Sequence, residues 1–149
     1  MITDDPRELR RADFPVLREV PTRWADVDIY GHVNNVAYYS FFDSAANQFL
    51  IEHGLDIEHG TIIGLVVESK CEYHAPLAYP QVLRAGVRVE KLGNRAVTYG
   101  IAIFGSSERA AAHGHFVHVF VDRVTRTPTP IPEQLRSALQ SILVHNAPA

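Results

Sequence analysis

The sequence predicts an α+β domain in which one curved antiparallel sheet of about five strands wraps a single long central helix. Three observations carry that expectation. Residues 36–53 (VAYYSFFDSAANQFLIEH) place apolar side chains every three or four positions and keep almost no polar face. Residues 61–122 hold β-branched and alternating segments separated by Gly, Pro, Asn and Ser turns. Turns this short join only antiparallel strands, because a parallel pair needs a crossover of about a dozen residues or more.

The elements follow in order. Residues 1–12 are charged, lack the apolar stretch of a signal peptide, and are expected as a flexible tail. Over 14–24, Val16, Arg18 and Val20 share one side of a strand and Leu17 and Glu19 the other; Pro21 predicts an edge strand or a bulge. Residues 25–35 (ADVDIYGHVNN) form a loop. The helix over 36–53 can be capped by Asn34 or Asn35 and closed by Gly54. Eighteen residues of helix span about 27 Å, and so apolar a rod is expected to be enclosed by protein. Strands are predicted at 61–74, 81–90, 96–104 and 109–122, with Leu92-Gly93-Asn94-Arg95 as a hairpin turn. Residues 133–144 give a short C-terminal helix with Leu135, Leu139, Ile142 and Leu143 as its apolar stripe. A single sheet leaves an open edge and an incompletely covered helix, which a dimer extending the sheet would remedy.

Composition bounds the function. The 149 residues predict one domain over 1–149, and 46% apolar residues are too many for a disordered chain. Fourteen Lys and Arg against seventeen Asp and Glu argue against a protein held mainly by nucleic acid phosphates. No apolar run approaches the roughly 18–20 residues of a membrane span. The lone Cys71 excludes an intramolecular disulfide or a cysteine-rich metal centre. A soluble protein of the cytoplasm is expected.

Candidate chemistry gathers in residues 26–35, where Asp26, Asp28, His32, Asn34 and Asn35 precede the apolar helix. A helix N-terminus offers unpaired N–H groups and partial positive charge, suited to a carbonyl oxygen that becomes an oxyanion. A carboxylate beside those donors can attack the carbonyl or activate water. Asx-rich loops also serve turns, because Asp and Asn side chains bond local backbone. Composition and spacing leave both readings open.

Residues 22–47 (TRWADVDIYGHVNNVAYYSFFDSAAN) resemble the signature of hotdog-fold acyl-CoA thioesterases of the 4-hydroxybenzoyl-CoA thioesterase type. That signature runs from an aromatic residue through Asp-x-Asp and Gly-His-Val-Asn-Asn to a Tyr and an acidic residue on the central helix. The resemblance continues in Glu72-Tyr73-His74-Ala75-Pro76-Leu77, then in Val119-Phe120-Val121-Asp122, Thr125 and Pro130-Ile131-Pro132, covering about residues 18–140. It implies hydrolysis of a fatty or aromatic acyl-CoA, in a homodimer or a dimer of dimers with active sites at the dimer interface. It also implies no resident cofactor, since coenzyme A belongs to the substrate. By the resemblance, Asp28 supplies the catalytic carboxylate as nucleophile or general base, and Asn35 the polarising amide. His32 joins them as a supporting group, Asp26 and Asn34 orient, and Tyr38 and Tyr39 line the pocket. Tyr79-Pro80-Gln81 and Asn47 depart from the pattern, which bears on subfamily and coenzyme A contacts. Two further readings carry their own signs: a hotdog enoyl-CoA hydratase, whose Gly-Asp and Asn-Pro signature is missing here, and a non-catalytic acyl-CoA-binding domain.

Other candidates have simpler explanations. His113 and His115 share a strand face and His118 opposes them, so three ligands do not converge on a metal. Cys71 lacks a nucleophile's surroundings, and Ser40 and Ser44 read as packing residues of the helix. Arg84, Arg88, Lys91 and Arg95 flank the central hairpin, where Arg88 and Arg95 suit coenzyme A phosphates; a solvated sheet face explains them equally well.

Overall fold

The computed structural model describes residues 5–144. Its elements are β1 (Val16–Pro21), α1 (Ala37–Glu52), β2 (Ile62–Tyr73), β3 (Val82–Leu92), β4 (Ala96–Phe104), β5 (Ala112–Asp122) and α2 (Glu133–Ser141). The strands form one antiparallel five-stranded sheet in the order β1-β3-β4-β5-β2. Tight turns make β3, β4 and β5 neighbours, which leaves β1 and β2 as the two edges. Pro21 closes the edge strand β1 opposite Val82, where its missing N–H breaks no interior ladder.

The core lies between the sheet and α1. Leu83, Ala85, Val87 and Val89 of β3 and Val97, Tyr99, Ile101 and Ile103 of β4 alternate onto one face and meet Phe42, Ala46, Phe49 and Leu50 of α1. Each such Leu, Ile, Val or Phe contributes about 1.5–3 kcal/mol on burial. The helix has 16 residues, two fewer than the sequence suggested, and spans about 24 Å. Gly54, at φ 105°, takes the left-handed conformation that ends it.

The expectation of an enclosed helix is corrected by its second face. Tyr39, Ser40, Asp43, Ser44 and Ile51 are exposed, so Ser40 and Ser44 are not packing residues within this chain. One sheet covers one side of a helix. Asn34 does not cap directly either: Val36 stands at the cap position, and its N–H is met by Asn34 Oδ1 at 3.3 Å.

The outer face of the sheet corrects the expected tail. Residues 1–4 lie outside the described residues, but from Asp5 onward the segment docks. Leu9 is only 3% exposed and forms a second apolar cluster with Phe14, Ala102, Phe104 and Ala110. Ala110 N–H donates to Leu9 O at 2.8 Å, and the Phe14 and Phe104 rings meet edge to face at 5.8 Å. Gly86 makes room for this contact, since a Cβ there would stand 2.7 Å from the Phe14 ring.

Two bulges shift the ladders, between Val66 and Glu68 on β2 and between Val89 and Lys91 on β3. The last helix stops at Ser141, Ile142 turns the chain, and Leu143 bridges to Val89, whose N–H donates to Ile142 O at 3.0 Å. Among the described residues, no helix is long and apolar enough to cross a membrane.

Candidate active site

The loop before α1 is folded by its own polar residues. Asp28 N–H donates to His32 O at 2.9 Å, and Gly31 N–H to Asp28 O at 3.1 Å. Gly31 sits at φ 79°, where any side chain would be strained. Val27 and Val33 form a bridge across the turn, and Val33 N–H donates to Leu77 O at 2.8 Å. That bond ties the loop to the segment leaving β2.

The two carboxylates of Asp-x-Asp fall in different surroundings. Asp26 is 3% exposed, and both of its oxygens are committed to Arg23. Oδ2 accepts the Arg23 N–H at 2.8 Å and Oδ1 the Arg23 Nη2 at 2.8 Å. The Arg23 guanidinium holds the Asp26 carboxyl below the usual carboxylate range. Asp28 is half-buried, and its Oδ1 accepts the N–H groups of Tyr30 at 2.8 Å and His32 at 3.4 Å. These bonds fix the carboxylate while leaving Oδ2 without a hydrogen-bond partner among the described residues. The turn reading and the chemical reading thus apply to the same side chain, one to each oxygen.

Asp28 lines a cleft of about 410 Å³ together with His32, Asn35 and Tyr38. Tyr73, His74, Ala75 and Pro76, at the end of β2, form its opposite wall. The opening turn of α1 stands at this cleft. Ala37 N–H is met by Asn34 O at 2.9 Å, whereas Tyr38 and Tyr39 begin the helix with N–H groups that have no intrahelical acceptor. Tyr38 is 3% exposed, packs edge to face on Tyr73 with ring centres 5.0 Å apart, and is pushed up to about 12 by burial. Tyr73 Oη donates to Asn35 O at 2.9 Å; burial, with Cys71 and Tyr39 nearby, raises its phenol as well. Both phenols stay protonated donors. Burial also lifts the Cys71 thiol to about 11, which keeps it protonated and unreactive as expected.

The structure brings Asp28, His32, Asn35 and Tyr38 to one cleft and places the other candidates elsewhere. Asn34 and Asp26 stand behind it, Asn34 N–H donating to Asp26 O at 2.7 Å. Tyr39 does not line the cleft but stands at its edge, 37% exposed, with its ring on Phe42 and its phenol beside that of Tyr73. The open-face expectation for Arg88 is corrected, for it is 1% exposed beneath the N-terminal segment. Its Nη2 donates to Glu90 Oε2 at 3.0 Å and its guanidinium lies 4.8 Å from the Phe14 ring centre. Arg95 is exposed at the β3–β4 turn, next to Asn94, whose carbonyl accepts Ile131 N–H just before α2. That is the far end of α1 from Asp28. Arg84 pairs with Glu19 at 3.3 Å. His113 and His115 lie on the outer face and His118 in the core, as strand alternation required.

Tyr73 and His74 line the cleft without having been expected there as site residues. Their signal was the run Glu72-Tyr73-His74-Ala75-Pro76, where Pro76 ends the strand and so brings its last side chains to the sheet margin.

The model of the thioesterase-like superfamily matches residues 22–139. The PA5185 protein of Pseudomonas aeruginosa is similar in structure, with a TM-score of 0.88, 51% identity, and coverage of 90% of this chain and 95% of that one. The BH1999 gentisyl-coenzyme A thioesterase superposes with a TM-score of 0.75 at 24% identity over 83% of this chain and 99% of its own. A 1,4-dihydroxy-2-naphthoyl-CoA thioesterase from Synechocystis does so with a TM-score of 0.75 at 18% identity, over 85% and 96%. These last two likenesses establish the fold. With the family match spanning the loop, the helix and strands β2 to β5, the chain belongs to the thioesterase-like superfamily and is a hotdog-fold thioester hydrolase.

Proposed function

We propose that the protein hydrolyses an acyl-CoA thioester, fatty or aromatic, to the free acid and coenzyme A, with Asp28 as its catalytic carboxylate. The observation that carries this reading is the position of Asp28, fixed through one oxygen and free through the other, in the cleft at which α1 begins. Asp28 Oδ2 takes a proton from water, whose oxygen bonds to the thioester carbon. The carbonyl oxygen gains negative charge and is met by N–H groups of the opening turn near Asn35, where the helix dipole adds partial positive charge. The intermediate collapses, the carbon–sulfur bond breaks, and the sulfur leaves to become the coenzyme A thiol. Should Asp28 instead attack directly, a single turnover in oxygen-labelled water leaves label in its carboxylate. Asp26 and Asn34 hold the loop, His32 flanks Asp28, and Tyr38 walls the acyl side. No resident cofactor enters the chemistry.

The working unit in this reading is a dimer or a dimer of dimers. The exposed face of α1 and the edge of β2, where Val66 and Val67 are exposed, are the surfaces a second copy would cover. Arg95, remote from Asp28 in its own chain, reaches coenzyme A phosphates only from such a second copy.

Release of free thiol from a panel of short, medium, long and aromatic CoA thioesters tests the function. Turnover of at least one class is expected, with Asp28→Asn lowering kcat by about 10²–10⁴-fold. Retained turnover in Asp28→Asn would contradict the assignment of the carboxylate. Hydration of an enoyl thioester without thiol release would move the reading to the hydratase class.

A further inference from the structure

A line of three side chains leads from the outer face of the sheet to the cleft. Glu72 and His113 are direct cross-strand partners, and His113 Nε2 lies 3.2 Å from Glu72 Oε2. His113 Nδ1 in turn lies 2.7 Å from His74 Nε2, with the two ring planes within 10° of each other and their centres 4.9 Å apart. His74 lines the cleft that holds Asp28.

The order of donors follows from the ends of the line. The Glu72 carboxylate, 3.2 Å from His113 Nε2, favours a proton on that nitrogen. A neutral His113 then accepts at Nδ1, and His74 must donate Nε2–H. The remaining nitrogen of His74, Nδ1, is the site that takes or gives a proton. Burial lowers the affinity of His113 for a second proton, and the charge of His74 lowers it further.

We propose that His74 is the proton donor to the departing sulfur, oriented by His113, which Glu72 in turn holds from the other side. This rests on the Asp28 cleft being the thioester site. As the carbon–sulfur bond breaks, its electron pair goes to sulfur and the Nδ1 proton of His74 goes with it. Asp28, protonated by the attacking water, returns a proton to His74 through solvent, and the cycle closes with one water consumed. His74 is then a catalytic residue, while His113 and Glu72 are positioning residues. Other charges face the line. Asp5 and Arg7 come from the N-terminal segment, with Asp5 interacting with His74. Arg109 shares a neighbouring groove with His74. Lys70 and Arg88 act on His113, and Asp28 and His32 share the cleft.

The test compares leaving groups. His74→Ala is expected to slow an alkyl thioester of coenzyme A about 10²-fold. An aryl thioester, whose weakly basic thiolate departs unprotonated, should lose less than about 3-fold. Glu72→Gln, which removes the carboxylate beside His113, should reproduce part of the loss on the alkyl substrate while sparing the aryl one. Added imidazole should restore part of the His74→Ala rate on the alkyl substrate. Imidazole titration followed by NMR on the whole protein gives a readout independent of turnover: His113, which Glu72 raises, should lose its proton at lower pH in Glu72→Gln. Equal losses on both leaving groups, or a His113 titration indifferent to Glu72→Gln, would overturn the proposal. If Asp28→Asn is inactive while His74→Ala is not impaired, the relay alone fails. If the wild type releases no thiol at all, the thioesterase reading fails and the relay with it.

Discussion

The two ends of α1 are built for opposite purposes. At its C-terminal end, Gly54 turns the chain, Leu55 is buried, and Leu135 and Leu139 of α2 close the core beside Phe49 and Leu50. At its N-terminal end the same helix opens onto a cleft walled by Asp28, Asn35, Tyr38 and Tyr73. Apolar side chains seal one terminus. At the other, polar loop residues satisfy one another and leave a carboxylate oxygen and backbone donors over. The difference teaches that stability is concentrated where the helix is closed and chemistry where it is not.

The closed end should show the largest effect on stability. Leu50, fully enclosed, is expected to cost about 2–5 kcal/mol when replaced by Ala, measured by chemical denaturation. The molecules that remain folded should keep their turnover. Loss of turnover at unchanged stability would erase the division between the ends.

Acid sharpens the comparison. His118 is wholly buried, with both ring nitrogens unpartnered among the described residues and the Tyr99, Phe116 and Phe120 rings around it; burial lowers its pKa to about 4. The unfolded chain, with a histidine near 6.5, binds a proton first as pH falls. Stability contributed by neutral His118 is present above pH 6.5 and drains away between 6.5 and 4, by about 3 kcal/mol for a shift of this size. His118→Leu should flatten the denaturation free energy across that window. An unchanged slope would place the acid sensitivity elsewhere.

The smallest effect falls on the open end. Asp26→Asn weakens the pairing with Arg23 and should cost about 1 kcal/mol, read as a lowered denaturation midpoint. A midpoint unchanged by the substitution would remove Asp26 as the support of the loop.

How much of this was legible in the sequence depends on the range of the forces involved. The strand over 96–104 was readable to the residue, because turn chemistry bounds it and Val97, Tyr99, Ile101 and Ile103 alternate without interruption. The helix was readable to within a residue at each end, and the opposed placement of His118 followed from strand alternation alone. Leu9 and Phe14 were not readable. Leu9 stands alone among charges and Phe14 heads a strand segment whose partner face is not marked, and their burial depends on Gly86, Ala102 and Phe104, which only the folded sheet gathers. The burial of Arg88 has the same cause. The Asp-x-Asp pair was legible as chemistry but not as a division of labour, because Arg23 and the turn at Gly31, not residue type, separate Asp26 from Asp28. His74 escaped notice because its partner His113 is 39 positions away.

The most direct measurement sets Asp28→Asn beside the wild type and Asp26→Asn, with thiol release and thermal midpoint recorded on the same preparations. Asp28→Asn is expected to keep its midpoint and lose about 10²–10⁴-fold in kcat, while Asp26→Asn shifts the midpoint and keeps far more of its turnover. Wild-type rates from folded Asp28→Asn would mean that the free oxygen in the cleft does nothing, and would contradict the account.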